Sequence, residues 1–460
     1  MTHDNILEKV CRSIDILVKT GEKYAGLFPS LISLTTHEML EQPPPAIDGQ
    51  RDGDRSHPGS NLIHDEAALM TMYALSKALK RNDYASAANR YLKRFATHCT
   101  NTVTGIFPWG EHAFWNLAED KIGGSIHDHL RQAPVWLWEK LYEYNPKCVE
   151  RFAEGLDYHW KKGEPLEYSR HASINAKTRP GRGERACDFP RHSGFYLLDW
   201  SFAYVKSGRT DFIQQINCML DYWWDKRDDK GLLLIESRSP QDEPRFYRVN
   251  APGQTVSLAV SLLESAILLD EKESEVAGRM RQRAKIYIDG FFAAPHNLEK
   301  GIFVISCRQD TNELIAAMPI WGSRYGIWPA SYIALVCLCG YRITGDERLL
   351  RWSEAVGRCY INEPFPDNVA VPAMDSGLAL GLLADLYDIT GDNFWIDSGL
   401  SLAQTLIAIY LNGDLPLGAS GIHWYESQMG PSFLLHGLAR ITLLSIDKDN
   451  CPLEADYTAR

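Results

Sequence analysis

The sequence predicts an all-α fold in which helical hairpins surround a central axis as an (α/α)7 toroid, with six hairpins as the alternative. Two observations predict it. A pattern of an apolar helix, a short polar turn and a more charged helix recurs along the 460 residues, and strand-like stretches are few and short. With 45% hydrophobic and 23% charged residues, the chain also has enough apolar material for a large core. We therefore expect residues 1–460 to form a single domain.

Each repeat begins with a helix whose apolar residues recur at helical spacing. These first helices contain small residues and few charges, whereas the helices that follow them carry charges on one face. This difference is typical of an inner ring of buried helices inside an outer ring of amphipathic ones. The first helices are predicted at 64–80, 127–144, 192–206, 254–270, 331–343, 375–389 and 429–446.

The turns and the ends of the repeat predict how the ring is completed. Two hairpins turn at Thr-Gly-Asp, 344–346 and 390–392, where glycine can end one helix and aspartate can cap the next. The last inner helix has no partner after it, so the amphipathic segment 5–20 is predicted to close the ring. The stretches 231–236 and 301–306 are predicted as local hairpins.

Charge and composition exclude several classes of function. The chain has 48 basic and 59 acidic residues, a formal charge of −11, so it has no general attraction for nucleic acid or anionic membranes. Nucleotide-binding and serine-hydrolase motifs are absent from the sequence. The first residues do not resemble a leader peptide and the ten cysteines are scattered, which predicts a cytoplasmic protein, or a secreted or periplasmic one if a leader has been removed. The sequence does not indicate the oligomeric state.

Polar residues gather where the chain enters the predicted inner helices. In a toroid these loops share one face, and helix N-termini on that face favour anions. We therefore predict a pocket for an anionic ligand there. The binding candidates at these positions are Asn61, His64, His127, His129, Arg131, Arg324 and Trp328.

A basic loop, 164–195, interrupts this acidic chain between the second and third hairpins. It contains Arg170 beside His171 and Arg191 beside His192. Guanidinium groups match carboxylates in bidentate fashion, so this loop is predicted to recognise a carboxylate.

Two further loops complete the predicted site. The aromatic loop 106–117 contains Trp109 and His112 and is predicted to stack against sugar. Residues 236–254 place Glu236, Arg245 and Tyr247 just before the fourth inner helix.

A metal site is possible but matches no specific zinc signature. His112, His129 and His171, with Glu111 nearby, offer donors that bind transition metals. No cofactor is predicted otherwise.

Several stretches resemble bacterial polysaccharide lyases on the (α/α) toroid, including pectate lyase-like proteins and alginate or glucuronan lyases. They are WGEHAFWNL (109–117), HDHLRQAPVWLWEKLYEYNP (127–146) and CDFPRHSGFYLLDWSFAYVKSGRTDF (187–212). The resemblance is convincing over about a third of the chain. It implies β-elimination on a uronic-acid polymer, with one group that neutralises the C5 carboxylate, a base for the C5 proton and an acid for the leaving O4.

This chemistry assigns roles to the candidates. Once the carboxylate is neutralised, a Tyr, His or Arg can remove the C5 proton. Tyr247 is predicted as base or proton donor, with Tyr196 as its substitute. The remaining catalytic candidates are His171, Arg191, His192 and Glu236; Arg170 and Arg245 would bind the carboxylate.

Three other functions remain open. A glycoside hydrolase acting on terminal or unsaturated uronic acids would use paired carboxylates. A sugar epimerase on a related barrel would use two histidines for proton transfer. A non-enzymatic carbohydrate-binding protein would need only aromatic surfaces. The carboxylate candidates for the hydrolase are Asp65, Glu111, Asp188 and Asp375, and the aromatic candidates are Trp109, Trp115 and Trp328.

Overall fold

The computed structural model describes residues 3–183, 186–237, 247–324 and 327–460. This part of the chain contains fourteen α-helices. They are α1 (His3–Gly21), α2 (Leu62–Ala78), α3 (Asp83–Arg94), α4 (Val135–Tyr144), α5 (Pro146–Gly155), α6 (Pro190–Ser207), α7 (Thr210–Trp224), α8 (Pro252–Leu269), α9 (Ser274–Ala293), α10 (Ala330–Thr344), α11 (Glu347–Asn362), α12 (Ala373–Thr390), α13 (Asn393–Tyr410) and α14 (Pro431–Ile446).

The helices pack as hairpins around an inner ring. Each even-numbered helix from α2 to α12 packs against the odd-numbered helix that follows it, and α1 packs against α14. The inner helices α6, α8, α10, α12 and α14 contact one another in succession, and α14 then contacts α2. The predicted all-α toroid of helical hairpins is confirmed, and α1 packs against the last inner helix, α14.

The Thr-Gly-Asp turns have the conformation that their residues favour. Gly345 and Gly391 have φ values of 70° and 69°, the left-handed region that ends a helix. The Asp346 side chain then accepts from the Arg348 N–H at 3.1 Å, and Asp392 accepts from the Phe394 N–H at 2.9 Å. Each aspartate thus caps the outer helix of its hairpin.

Helix α8 is apolar enough and long enough to cross a membrane by composition alone, but 78% of it is buried inside the protein. It packs against α6, α9 and α10. It is therefore a core helix of the ring.

The second inner helix differs from its prediction. Helix α4 begins at Val135, and the first two residues of the predicted helix 127–144 instead belong to the strand Ile126–Asp128. Pro134 precedes the first helical residue and has an extended conformation, which sets the start of the helix. Side chains join α4 to its neighbours: Trp136 Nε1 donates to Glu66 Oε1 at 3.1 Å, and Trp138 Nε1 to Asp199 Oδ1 at 2.9 Å.

Short antiparallel strands tie the loops together. Described residues form four small sheets, β1–β10, β2–β3–β4, β5–β6 and β7–β8–β9. The predicted stretch 301–306 contributes to β8, whereas 231–236 makes only an isolated bridge from Leu234 to Asn250. The strands are β1 (Leu31–Ser33), β2 (Gly59–Ser60), β3 (Ala113–Asn116), β4 (Lys121–Gly124), β5 (Ile126–Asp128), β6 (His171–Ser173), β7 (Val249–Asn250), β8 (Val304–Arg308), β9 (Leu314–Ala317) and β10 (Trp424–Glu426).

The irregular segment 447–460, which we call the axial segment, runs along the inside of the ring. Its contacts come from α6, α8, α10, α12 and α14, and from Gln132 just before α4. A segment that touches so many inner helices lies on the ring axis. The residues of the inner helices that it meets are Arg191, Ser261, Glu264, Cys339, Arg342, Asp385, His436 and Arg440.

Candidate functional site

The strand pair β5–β6 brings together two residues that are far apart in sequence. Asp128 on β5 lies directly opposite His171 on β6. The loop before β3 is held against the same strand, because the Glu111 N–H donates to Asp128 Oδ1 at 2.6 Å. Gly110 makes this approach possible, since a Cβ at this position would lie 2.0 Å from the Asp128 main-chain oxygen. Glu111 and His112 are thereby placed beside Asp128 and His171.

The side chains of this region form a compact group of imidazoles and carboxylates. His112, Asp128 and His171 offer donor atoms that all lie within 4.8 Å of one another, and Asp54, Glu111 and His112 do the same. His112 Nδ1 lies 3.0 Å from Asp54 Oδ1, and its Nε2 lies 3.8 Å from Glu111 Oε2. The Asp54 contact raises the pKa of His112.

Asp128 is fully buried within this group. Burial raises its pKa to about 7, with a further contribution from the Glu111 carboxylate. Two imidazoles and a carboxylate at these distances are a donor set that divalent transition metals accept. His112, Asp128 and His171 could therefore hold such a cation.

Two arginines adjoin the carboxylates. Arg170 Nη2 lies 3.0 Å from Glu111 Oε2, and its Nη1 lies 3.8 Å from Asp128 Oδ2. Arg191, in the first turn of α6, stacks its guanidinium over the Trp328 ring at 3.9 Å. Burial, and then repulsion from Arg170, lowers the pKa of Arg191 to about 9.

Arg170 and Arg191 are both buried, with 8% and 5% of their surface exposed. We call the whole group the site cluster. Its members are Asp54, Glu111, His112, Asp128, Arg170, His171 and Arg191.

A chain of enclosed hydrogen bonds lies behind β5. Trp109 Nε1 donates to His127 Nε2 at 2.9 Å, so His127 carries its proton on Nδ1, which lies 3.0 Å from His159 Nε2. His159 Nδ1 lies 2.8 Å from the Ser169 main-chain oxygen. Burial lowers the pKa of His127 and brings that of His159 to about 4, which keeps both rings neutral. Trp109 is fully buried, so it supports the strand and offers no open face to a sugar.

His129 lies apart from the predicted metal donors. Its Nδ1 is 3.2 Å from Asp199 Oδ2, and its ring packs against Trp109. Burial lowers its pKa to about 3. Alternate residues of an extended chain point to opposite sides, so Asp128 and His129 point away from each other. Asp128, and not His129, therefore lies beside His112 and His171.

His192 and His64 are enclosed, with no hydrogen-bond partner for either ring among the described residues. The pKa of His192 is lowered by burial and by the Arg191 and Arg170 charges, and that of His64 by burial and Arg131. Both rings are therefore neutral. His192 is fully buried, next to Arg191 in the first turn of α6.

Three other predicted residues hold loops or neighbouring helices in place. Asn61 Nδ2 donates to the Gly110 main-chain oxygen at 2.8 Å. Glu236 Oε2 accepts from the Cys187 N–H at 2.8 Å. Arg131 Nη1 donates to the Ile63 main-chain oxygen at 3.3 Å, and its guanidinium lies 4.7 Å from the Phe433 ring centroid.

The remaining predicted residues lie in other surroundings. Tyr247 precedes β7, and its recorded neighbour is the Arg248 guanidinium, 5.4 Å from the ring centroid. Its substitute, Tyr196, is buried with its hydroxyl 3.1 Å from His159 Nδ1. Arg324 is exposed near the start of α10, and Arg245 lies outside the described residues.

The four carboxylates considered for hydrolysis do not share one site. Glu111 belongs to the site cluster, Asp65 accepts from Tyr91 at 2.7 Å, Asp188 from the Ser237 N–H at 2.9 Å, and Asp375 from the Ser323 N–H at 2.7 Å. The partner that sequence reasoning missed is Asp54. It lies in the charged loop 40–60, whose composition is typical of exposed surface, yet it is only 3% exposed.

Comparison with known proteins points to an enzyme that acts on polysaccharides. The family model described as periplasmic pectate lyase matches residues 45–190. That stretch contains every member of the site cluster except Arg191. None of the curated protein sequences matches the chain.

Several solved structures are similar to this one at low identity. An unsaturated glucuronyl hydrolase specific for heparin is 12% identical with a TM-score of 0.48, covering 97% of this chain and 99% of that one. The unsaturated glucuronyl hydrolase of Bacillus sp. GL1 is 10% identical with a TM-score of 0.47, covering 99% of each chain. A sugar epimerase from a ruminal bacterium is 9% identical with a TM-score of 0.48, covering 97% of this chain and 99% of that one.

Proposed function

We propose that this protein is a polysaccharide lyase that cleaves a uronic-acid glycan by β-elimination at the site cluster. The observation that carries the proposal is the joining of a candidate cation site, His112–Asp128–His171, to Arg170, whose guanidinium lies 3.8 Å from Asp128 Oδ2 and 3.0 Å from Glu111 Oε2. Elimination needs this combination, because the C5 proton of a uronate becomes acidic only after its carboxylate is neutralised.

The carboxylate would be neutralised from two directions. His112, Asp128 and His171 would hold a divalent cation, which when bound supplies a Lewis acid for a carboxylate oxygen. Arg170, 3.0 Å from Glu111, offers guanidinium N–H donors to the same carboxylate. Glu111 and Asp54 keep the surrounding groups oriented through their contacts with Arg170 and His112.

Arg191 is proposed to take the C5 proton. Burial lowers the pKa of its guanidinium to about 9, so the neutral form that can accept a proton is reached more easily than in an exposed arginine. The electrons of the C5–H bond form the C4–C5 double bond, and the C4–O4 bond breaks. The leaving O4 takes a proton from solvent at the partly exposed rim formed by Glu111 and His112.

Hydrolysis is the second candidate, and one observation favours it. With a pKa of about 7, Asp128 holds a proton near neutral pH beside the Glu111 carboxylate, as an acid and base pair would require. A hydrolase would release reducing ends without forming a double bond.

We also propose a periplasmic location. The matching family model is described as periplasmic, and the cytoplasmic location expected from the sequence has no support.

Ultraviolet absorbance distinguishes these functions. Pectate, alginate, glucuronan and ulvan are incubated with the protein, with and without a chelator and added Mn²⁺, and the absorbance of unsaturated uronides is followed. We expect new absorbance on at least one polymer. New reducing ends without absorbance would indicate the hydrolase and overturn the lyase proposal.

A matched pair of arginine variants links the activity to the site. Arg170→Ala should abolish the new absorbance, whereas Arg179→Ala, in the same basic loop but paired with Asp157 on the surface, should retain it. Equal activity of the two variants would remove the site assignment.

A further inference from the structure

Arg460 occupies the inner end of the axial segment, next to the proposed site. Its main-chain oxygen accepts a hydrogen bond from Arg191 Nη1 at 2.8 Å. The second contact that holds Arg191 is the Trp328 ring, over which the Arg191 guanidinium stacks at 3.9 Å. Arg191 is thus held between an aromatic face and one main-chain atom.

The position of that main-chain atom depends on the Arg460 side chain. Arg460 Nη1 and Nη2 donate to the two oxygens of Glu264 on α8, at 2.6 and 3.1 Å. Its Nε donates to the Tyr457 main-chain oxygen at 2.8 Å, and Gln132 Nε2 donates to the same Glu264 carboxylate at 2.9 Å. Arg460 is only 2% exposed. A bidentate pair of this kind fixes geometry closely, because both partners are planar.

We infer that Arg460 is a positioning residue for Arg191: its bidentate pair with Glu264 fixes the main-chain oxygen that orients the Arg191 guanidinium. The Arg460 side chain points to α8 and has no part in the chemistry. Arg460 acts on Arg191 through its main-chain oxygen. The axial segment therefore helps to form the site in addition to packing inside the ring.

The effect on catalysis follows from the position of Arg191. A loosened main-chain oxygen lets the guanidinium move on the Trp328 face, while the proposed carboxylate contacts at Arg170 and the cation site remain. We therefore expect Arg460→Ala to lower kcat about 10- to 100-fold, with KM changed less than about threefold. Arg460→Lys keeps the charge without the bidentate geometry and should retain an intermediate kcat.

The catalytic part of this inference rests on the proposed function, so its test includes a readout that does not need activity. The protein is labelled with 5-fluorotryptophan, and the Trp328 resonance in the fluorine NMR spectrum is identified by its loss in Trp328→Phe. Arg460→Ala and Glu264→Gln should both move the Trp328 resonance. The Glu264 variant also serves where the alanine variant does not fold.

Arg342→Gln is the matched control. Arg342 Nε donates to the Tyr457 hydroxyl of the same segment at 2.8 Å, but its guanidinium pairs with Asp385 and not with Glu264. It should leave the Trp328 resonance and kcat unchanged. If Arg342→Gln lost as much kcat as Arg460→Ala, the axial segment would have only a general role in packing, and the inference would be overturned.

The other outcomes are equally decisive. An unmoved Trp328 resonance in folded Arg460→Ala and Glu264→Gln would overturn the inference whatever the activity. A moved resonance in a protein without lyase activity would support the positioning of Arg191 and refute the proposed function alone.

Discussion

Asp65 makes the stability of the protein depend on pH in a way that can be calculated. It lies in the first turn of α2, almost fully enclosed, and its Oδ2 accepts from the Tyr91 hydroxyl at 2.7 Å. Its Oδ1 has no hydrogen-bond partner among the described residues. Burial raises the pKa of this carboxyl to about 8, against an ordinary value of about 3.9 in an unfolded chain. Between these two values the folded state holds a proton that the unfolded state has lost.

The sign and size of the effect follow from proton linkage. The folded protein binds more protons than the unfolded chain in this range, so the free energy of unfolding falls as pH rises from about 4 to about 8. The slope is about 1.4 kcal/mol per pH unit, which gives about 2.7 kcal/mol between pH 5 and pH 7. Asp65→Asn cannot ionise and removes this contribution. The free energy of unfolding of the wild type should therefore fall relative to that of the variant over this interval.

Urea denaturation at pH 5, 6 and 7 measures this difference. The other titrating groups are common to both proteins and cancel, so the change in the difference isolates Asp65. A difference between the two proteins that stays constant within about 0.5 kcal/mol from pH 5 to pH 7 would refute the reasoning. Such a constant difference would show that Asp65 is already charged in the folded state at pH 5.

Three further predictions concern the site. Gly110→Ala places a Cβ against the β5 backbone at a φ of 102°, so it should destabilise the protein by about 2–3 kcal/mol. Gly181→Ala, which has open space around the new Cβ, should leave the stability unchanged, and thermal unfolding compares the two variants. His171→Ala should weaken Mn²⁺ binding at least about tenfold in calorimetry, and unchanged affinity would exclude this residue as a ligand. Tyr247→Phe should leave lyase activity close to that of the wild type, because Tyr247 lies outside the site cluster, and a loss by orders of magnitude would return it to the catalytic set.

The helices could be predicted because their signal is local. Helical spacing of apolar residues, the glycine and aspartate of the two Thr-Gly-Asp turns and the unpaired segment at 5–20 all lie within short windows of sequence. The six first helices other than α4 begin and end within about two residues of the predicted limits, which is the usual uncertainty of helix ends.

The site depended on pairing between distant residues, which a single sequence does not reveal. The prediction placed residues 127–129 in the first turn of a helix, where consecutive side chains point in different directions around the helix axis. In strand β5 they alternate, so His127 faces the core and Asp128 faces His171 across the sheet. Predicting this arrangement requires knowing that β6 pairs with β5, and the two strands are separated by a complete helical hairpin.

Asp54 and Arg460 are two buried charged residues whose partners could not be predicted from the sequence. Both are charged residues in stretches without helical spacing, which is typical of exposed surface. Each is buried because it meets an ionisable partner distant in sequence, His112 for Asp54 and Glu264 for Arg460. Composition alone predicts neither pairing.

The axial segment touches the inner helices from α6 to α14, so among the described residues it occupies the middle of the ring. If a polymer binds at the proposed site, we expect that it does not thread along this axis and that its products leave on the side from which the substrate entered. Repeated cleavage of one polysaccharide chain would then require that chain to slide across the rim formed by Glu111 and His112.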